Sequence, residues 1–170
     1  MKKLVLSVAL VATGLFASAQ EGDATAKGKI LVNVNVASDT TGNTGFALRN
    51  SDGYTDWSIG AEGGYFVADN LAVIGGLGLS GESGDNVDSE TAFNYKVGAR
   101  YYVSNVIPVQ ADLTGTTEGD GAMWVGLQAG YAWYVADNVS VEPALRYNIT
   151  TDEDKAESSF QGLIGFNLHF

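Results

Sequence analysis

Apolar residues alternate with polar or small residues along much of the chain, which is the period-two pattern of β-strands whose two faces differ. In the first such stretch Val32, Val34 and Val36 fall on one face, whereas Asn33 and Asn35 fall on the other. The alternation predicts strands of about nine to eleven residues, the length with which a tilted strand crosses a bilayer. The eight predicted strands cover residues 30–36, 57–65, 71–79, 93–101, 107–114, 123–134, 139–148 and 160–170.

Tight turns and long connections separate these predicted strands. The tetrapeptide Val-Ala-Asp-Asn occurs at 67–70 and again at 135–138, and a related turn ends at Asn105. Such Asx-rich turns between alternating segments favour β-hairpins. The longer connections cover 37–56, 80–91, 115–121 and 150–159. Short turns at one end and long loops at the other predict an all-β fold, an eight-stranded antiparallel up-and-down transmembrane β-barrel with periplasmic turns and extracellular loops.

The contents of the two faces indicate which of them points into the barrel. The polar face carries the charged residues Glu62, Lys96, Arg100, Asp112, Glu142 and Arg146. The apolar face carries large aromatic residues in five of the eight predicted strands, which is more volume than the narrow interior of eight strands holds. The charges are therefore predicted to line the lumen, and the apolar face is predicted to meet lipid. A soluble, lipocalin-like carrier with an apolar interior is the third alternative.

The first residues have the features of an export signal. Lys2 and Lys3 precede an apolar run that continues to Phe16, and Ala17-Ser18-Ala19 matches a small-residue cleavage site. This pattern predicts a signal peptide at 1–19, a mature chain that starts at Gln20, a short periplasmic tail at 20–28 and a barrel at 29–170. An uncleaved membrane anchor is the alternative, but the apolar run is short for a spanning helix.

Composition excludes several classes of function. The chain has no cysteine, which excludes disulfides, thiolate metal sites and cysteine nucleophiles. Its 20 acidic residues outnumber its 9 basic residues, so no nucleic-acid partner is expected, because phosphate is bound by Lys and Arg.

Aromatic residues occupy two special sets of positions. Tyr65, Tyr101 and Trp133 each precede a predicted periplasmic turn, where they are expected to form an aromatic girdle. The last strand places Phe166, Leu168 and Phe170 on its outward face and ends on an aromatic residue.

With these features the chain, from about residue 27 to residue 170, resembles the family of small outer-membrane β-barrel proteins typified by the OmpA membrane domain and OmpX. The last three outward residues are similar to the signal by which such proteins are recognised for barrel assembly. The resemblance implies a location in the cell outer membrane and contacts with outer-membrane lipid and lipopolysaccharide. It also implies periplasmic chaperones and the barrel-assembly machinery as partners, and a monomer as the functional unit.

The three acids and three bases of the lumen admit two interpretations. They form either a salt-bridge network that plugs the barrel, since unpaired buried charges are costly, or the lining of a narrow pore. Inward glycines such as Gly60, Gly76 and Gly126 leave room for long side chains or for water.

The long connections are strongly acidic. Arg49 and Lys155 are the bases among them, and the acids are Asp39, Asp52, Asp56, Glu82, Asp85, Asp88, Glu90, Glu118, Asp120, Asp152, Glu153, Asp154 and Glu157. This charge fits a solvated extracellular surface. Oxygen ligands for a divalent cation are the sharper interpretation, but 82–90 lacks the spacing of a Ca²⁺ loop. No metal site and no cofactor are predicted.

Catalysis has few candidate residues. His169 is the single histidine and lies on the inward face next to the end of the chain. Glu62 and Glu142 could serve as an acid and a base, but the nearby bases favour ion pairs instead. The leading hypothesis is a porin-like or structural barrel without enzymatic activity. The runner-up is a surface interaction or adhesion barrel that binds a partner or a cation through its acidic loops.

Overall fold

The computed structural model describes residues 24–41, 44–51, 54–84, 91–117 and 121–170. The predicted signal peptide 1–19, its cleavage site before Gln20 and most of the tail 20–28 therefore lie outside the described residues. So do the loop acids Asp52, Asp85, Asp88, Glu90, Glu118 and Asp120.

The described residues form antiparallel strands joined by turns and loops. The strands are β1 (Ile30–Ala37), β2 (Ala47–Ser51), β3 (Tyr54–Ala68), β4 (Leu71–Gly84), β5 (Thr91–Val103), β6 (Ile107–Thr116), β7 (Met123–Gly130), β8 (Trp133–Ala136), β9 (Val139–Thr150) and β10 (Ser159–His169). Within the described residues, no helix is long and apolar enough to cross a membrane.

The strands close into a barrel, which confirms the predicted eight-stranded antiparallel fold. Each strand from β3 to β7 pairs with the next, β9 pairs with β7, β8 and β10, and β1 pairs with both β10 and β3. The strands β7 and β8 are two halves of one barrel strand that is interrupted at Tyr131 and Ala132. At the seam, Ile30 N donates to Phe170 O and Phe170 N donates to Ile30 O, both at 2.9 Å.

Period-two alternation sets the two faces of the wall as predicted. In β1, for example, Asn33 and Asn35 are buried, whereas Val34 and Val36 are about 40% exposed. Large apolar side chains cover the outer face in every barrel strand, with exposures between 37% and 65%. The interior is occupied by polar and charged side chains over most of its length.

The tight turns lie where Asx residues were expected. Asp69–Asn70, Ser104–Val106 and Asp137–Asn138 form the short connections. Asn70 and Asn105 take φ values of 66° and 65°, in the left-handed region that asparagine tolerates better than most residues.

The connection 37–56 differs from the prediction of one long extracellular loop. It contains β2, which pairs with the first part of β3 from Ala47↔Ser58 to Ser51↔Tyr54. Phe46 N also donates to Asn35 O, and Ala37 N donates to Phe46 O, so β2 starts beside the end of β1. The predicted loop 80–91 is likewise shorter than expected, because β4 continues to Gly84. Asp56 and Glu82 therefore belong to strands.

The segment between β1 and β2 turns back into the lumen. Thr44 is completely buried, and the backbone oxygen of Thr41 accepts hydrogen bonds from Asn148 Nδ2 at 3.1 Å and Gln161 Nε2 at 2.6 Å. Gly60 makes room for this segment, since a Cβ there would lie 2.4 Å from Thr44 O. The space that inward glycines leave is thus filled here by backbone.

Candidate functional site

Glu62 is the centre of one polar network in the lumen. Its Oε1 accepts from Lys96 Nζ at 2.5 Å, from Thr44 Oγ1 at 2.8 Å and from Asn35 Nδ2 at 3.1 Å. Its Oε2 lies 3.6 Å from Arg100 Nη2. These groups come from β1, from the inward segment and from β5, so one carboxylate ties several parts of the barrel together.

Arg100 joins Glu62 of β3 to Glu142 of β9. Its Nη1 lies 3.4 Å from Glu142 Oε2 and donates to Asn167 Oδ1 at 3.2 Å. Glu142 also accepts from Tyr102 OH at 3.0 Å and from Ser140 Oγ at 2.9 Å. The Arg100 side chain has no exposed surface, so its charge is balanced entirely by these partners.

Asp112 and Arg146 form a second network. Arg146 Nη2 and Nη1 reach the two carboxylate oxygens of Asp112 at 2.6 and 2.7 Å, which is bidentate geometry. Gln110 Nε2 donates to Asp112 at 2.7 Å while Gln110 Oε1 accepts from Arg100 Nε at 2.7 Å. Gln110 therefore connects the two networks.

A glycine allows this pair to form. Gly126 lies beside Asp112 and Arg146, and a Cβ there would lie 2.0 Å from Arg146 Nη2 and 2.7 Å from Asp112 Oδ1. Only a residue without a side chain fits beneath the guanidinium in this arrangement.

All six charged residues singled out in the sequence lie in the lumen and take part in these networks. Each is at most 5% exposed. Sequence reasoning did not identify Thr44, Tyr102 and Asn167 as their partners. Tyr102 and Asn167 stand at inward positions of the alternating pattern, which predicts that they point into the lumen. Thr44 lies in a segment without alternation.

An apolar and aromatic layer closes the barrel at its tight-turn end. It consists of Leu31, Phe66, Ala72, Ile74, Tyr102 and Ala132, with Tyr134 packed against it. The ring centroids of Phe66 and Tyr102 are 6.0 Å apart, and each lies 6.1 Å from that of His169. The predicted girdle residues Tyr65, Tyr101 and Trp133 immediately precede Phe66, Tyr102 and Tyr134 and point outward, with exposures of 52%, 45% and 65%.

His169 belongs to this layer and is 1% exposed. Its Nδ1 lies 2.9 Å from Ala24 O, and its Nε2 lies 3.5 Å from Ser140 Oγ. The Ser140 hydroxyl donates to Glu142. A serine nucleophile needs its base to take the hydroxyl proton and needs access to substrate; here the hydroxyl points to a carboxylate and both residues are buried.

The outward residues at the end of the chain continue the apolar wall. Phe166 is 51% exposed, and Leu168 and Phe170 are half-buried. Phe166 pairs in register with Val34 of β1 and Val141 of β9. The C-terminal residues therefore form part of the seam that closes the barrel.

The loop end of the lumen opens into a cleft of about 580 Å³. Its walls include Asp39, Thr41, Arg49, Asp56, Trp57, Ser80, Glu82, Asn94, Trp124, Asp154 and Lys155. Among the described residues, no group of three or more His, Asp or Glu side chains is placed to hold a metal ion.

Comparisons with solved structures find outer-membrane barrels. The N-terminal β-barrel domain of Pseudomonas aeruginosa OprF is similar with a TM-score of 0.54 and 13% sequence identity, over 85% of this chain and 98% of that one. The Yersinia pestis outer membrane protein Ail is similar with a TM-score of 0.52 and 12% identity, over 85% of this chain and 100% of that one. No protein-family model matches the chain, and no curated protein matches it in sequence. The chain thus has the fold of outer-membrane β-barrels.

Proposed function

We propose that this protein is a small outer-membrane β-barrel with a structural, non-conducting lumen, whose functional surface is its loop end. The observation that carries the proposal is the burial of all six lumen charges in connected ion pairs and hydrogen bonds. Ions that crossed this barrel would have to displace these pairs. Each broken buried pair costs about 3–5 kcal/mol.

The outer face supports a membrane location. Apolar side chains cover the wall, and the girdle of Tyr65, Tyr101 and Trp133 lies near the tight turns, where amphipathic rings favour a membrane–water interface. In this proposal the wall contacts outer-membrane lipid and lipopolysaccharide. Signal peptide 1–19 exports the chain, and periplasmic chaperones and the barrel-assembly machinery receive it through Phe166, Leu168 and Phe170.

A porin-like pore fits the geometry less well. Below the ion pairs, the buried apolar and aromatic side chains around Phe66 and Tyr102 occupy the interior at the tight-turn end. The arrangement of Ser140 and His169 likewise gives no support to an enzyme. The acidic, cleft-forming loop end favours the second candidate, an interaction barrel that binds a partner or cation there.

Single-channel recording on the mature protein refolded in planar bilayers tests the proposal. We expect no stepwise conductance for the natural chain, and rare steps for Arg100→Ala, in which two carboxylates lose their shared partner. A control variant, Arg49→Ala, changes a base at the loop end and is expected to remain silent. Regular steps from the natural chain would refute the non-conducting barrel, and absence of the protein from outer-membrane fractions would refute the location.

A further inference from the structure

The cleft at the loop end has the dimensions of a ligand site. Its volume of about 580 Å³ lies within the range of about 300–1,000 Å³ that small-molecule pockets occupy. Its rim carries Asp56 and Glu82, and Ser80 and Asn94 lie deeper on the same inward face. These four residues come from β3, β4 and β5, three neighbouring strands of the rigid wall.

Asp56 and Glu82 lie directly opposite one another in the register of β3 and β4. Like charges in this position repel and destabilise a sheet. Arg49 is opposite Asp56 on the other side, in β2, but its Nη1 lies 3.7 Å from Asp39 Oδ2. Among the described residues neither Asp56 nor Glu82 has an ion-pair partner, so the rim holds two negative charges that a cation would neutralise.

Asn94 provides an independent indication of a ligand. It is 4% exposed and lines the cleft. In the described part of the chain its amide makes no hydrogen bond, so its polar atoms are available to a group that binds in the cleft. Lys96, two residues further along the same inward face, is by contrast bonded to Glu62. Ser80, which is 9% exposed, is a second polar group on the cleft wall without a partner among the described residues.

The spacing of these groups determines the shape of the ligand. Asn94 is opposite Gly78, and Glu82 lies four residues further along β4. At roughly 3.3 Å per residue, the rim carboxylates and the Asn94 amide are about 13 Å apart along the strand direction. One small ion cannot contact both ends, whereas an extended chain with several amines can.

We propose that the cleft binds an elongated organic polycation of the polyamine class. One terminal ammonium lies between the carboxylates of Asp56 and Glu82. The amine at the other end of the chain donates a hydrogen bond to the side-chain oxygen of Asn94, and an inner amine donates one to the hydroxyl of Ser80. The site depends on the rim and the upper wall, so it does not require the lumen to conduct.

Calorimetric titration of spermidine into the mature barrel, held in zwitterionic lipid nanodiscs, tests this site. We expect one saturable site per barrel. The double variant Asp56→Asn/Glu82→Gln should weaken binding by about tenfold or more, and Asn94→Ala by about threefold to tenfold, from the loss of charge-assisted hydrogen bonds. Glu153→Gln removes one negative charge, as Glu82→Gln does, from an exposed position outside the cleft and should change binding by less than about twofold.

Three outcomes of this titration would contradict the proposed polyamine site. Absence of saturable binding overturns the site, and equal weakening by Glu153→Gln shows only diffuse attraction to an acidic surface. Binding of Ca²⁺ alone with the same dependence on Asp56, Glu82 and Asn94 would replace the organic ligand with an inorganic one and overturn its proposed class. Denaturant unfolding without ligand verifies that each variant is folded. The single variants Glu82→Gln and Asn94→Ala keep the test available if the double variant does not fold.

Discussion

Arg146 of β9 and Asp112 of β6 meet inside the barrel in a bidentate ion pair, with contacts of 2.6 and 2.7 Å, although β7 lies between their strands. The side chains can span this distance because Gly126 of β7 places no atoms between them. The pair is buried, so neither charge has water as an alternative partner.

Breaking this pair from one side should destabilise the barrel strongly. We expect Arg146→Met to lower the free energy of unfolding by about 3–5 kcal/mol, because Asp112 is left buried without its counter-ion. Denaturant unfolding in lipid, followed by tryptophan fluorescence, measures the change. The double variant Asp112→Leu/Arg146→Met should recover much of the loss, since both charges are removed. A loss below about 1 kcal/mol in the single variant would mean that water reaches Asp112.

Gly126→Ala tests the space beneath the guanidinium. The added Cβ forces Arg146 out of its bidentate position, and overpacking of this kind costs about 1–3 kcal/mol. Gly162→Ala is the matched control, because a Cβ there meets nothing within 4 Å. We expect the control to be neutral or slightly stabilising in the same unfolding assay. Equal effects from both substitutions would contradict the close approach at Gly126.

The position of the barrel in the bilayer can be tested with arginine substitutions at two different depths of the lipid-facing wall. Val97 is 55% exposed near the middle of β5, and Val103 is 40% exposed at its end beside the tight turn. Arginine on the lipid face costs about 2–4 kcal/mol at the bilayer midplane and about 0–1 kcal/mol near the interface. Val97→Arg should therefore destabilise the barrel in lipid far more than Val103→Arg. Similar costs at both positions would show that the wall does not face a bilayer in this register.

Thr44→Val tests the segment that enters the lumen. Valine keeps the shape of threonine but removes the hydroxyl that donates to Glu62 at 2.8 Å. We expect a loss of about 1–3 kcal/mol in unfolding free energy, because a buried carboxylate loses a donor. Thr91→Val, at an exposed position in β5, is the control and should change stability by less than about 0.5 kcal/mol. An unaffected Thr44→Val variant would indicate that the segment lies outside the lumen in solution.

The intact mass of the mature protein tests the predicted cleavage of the signal peptide. The site at Ala17–Ala19 predicts that protein purified from membranes lacks residues 1–19 and begins at Gln20. Intact-mass measurement detects the loss directly. A mature mass that still contains Lys2 and Lys3 would show that the segment is retained.

The sequence predicts which face of each strand points into the barrel, because successive side chains of a β-strand point to opposite faces. Neighbouring residues such as Val34 and Asn35 differ clearly in polarity, so the two faces can be distinguished. The same rule places Phe66 and Tyr102 inside, next to the predicted girdle residues Tyr65 and Tyr101. The inward positions of Thr41 and Thr44 could not be predicted, because the sequence around them has no alternation that distinguishes two faces.

The pairing of the lumen charges also depends on information that alternation does not contain. Alternation predicts that Arg100, Glu142 and Asp112 all point into the lumen. Their positions along the barrel axis, which decide which side chains are in contact, depend on the register between strands. Register depends on bulges such as the shift between Phe66 and Ala68 and on the position of each turn. The sequence therefore predicts the charged members of the network and leaves their partners open.

The segment around Thr41 couples the folding of the start of the barrel to the folding of its last two strands. Thr41 near the start of the chain is held by Asn148 and Gln161, which follow it by 107 and 120 residues. Contacts between such distant residues form only after the intervening chain has been organised. We therefore expect the segment around Thr41 to take its final position only when β9 and β10 have formed. The strands β9 and β10 complete the wall of the barrel and also donate hydrogen bonds to the segment around Thr41. We therefore expect closure of the wall and entry of this segment into the lumen to occur together, late in folding.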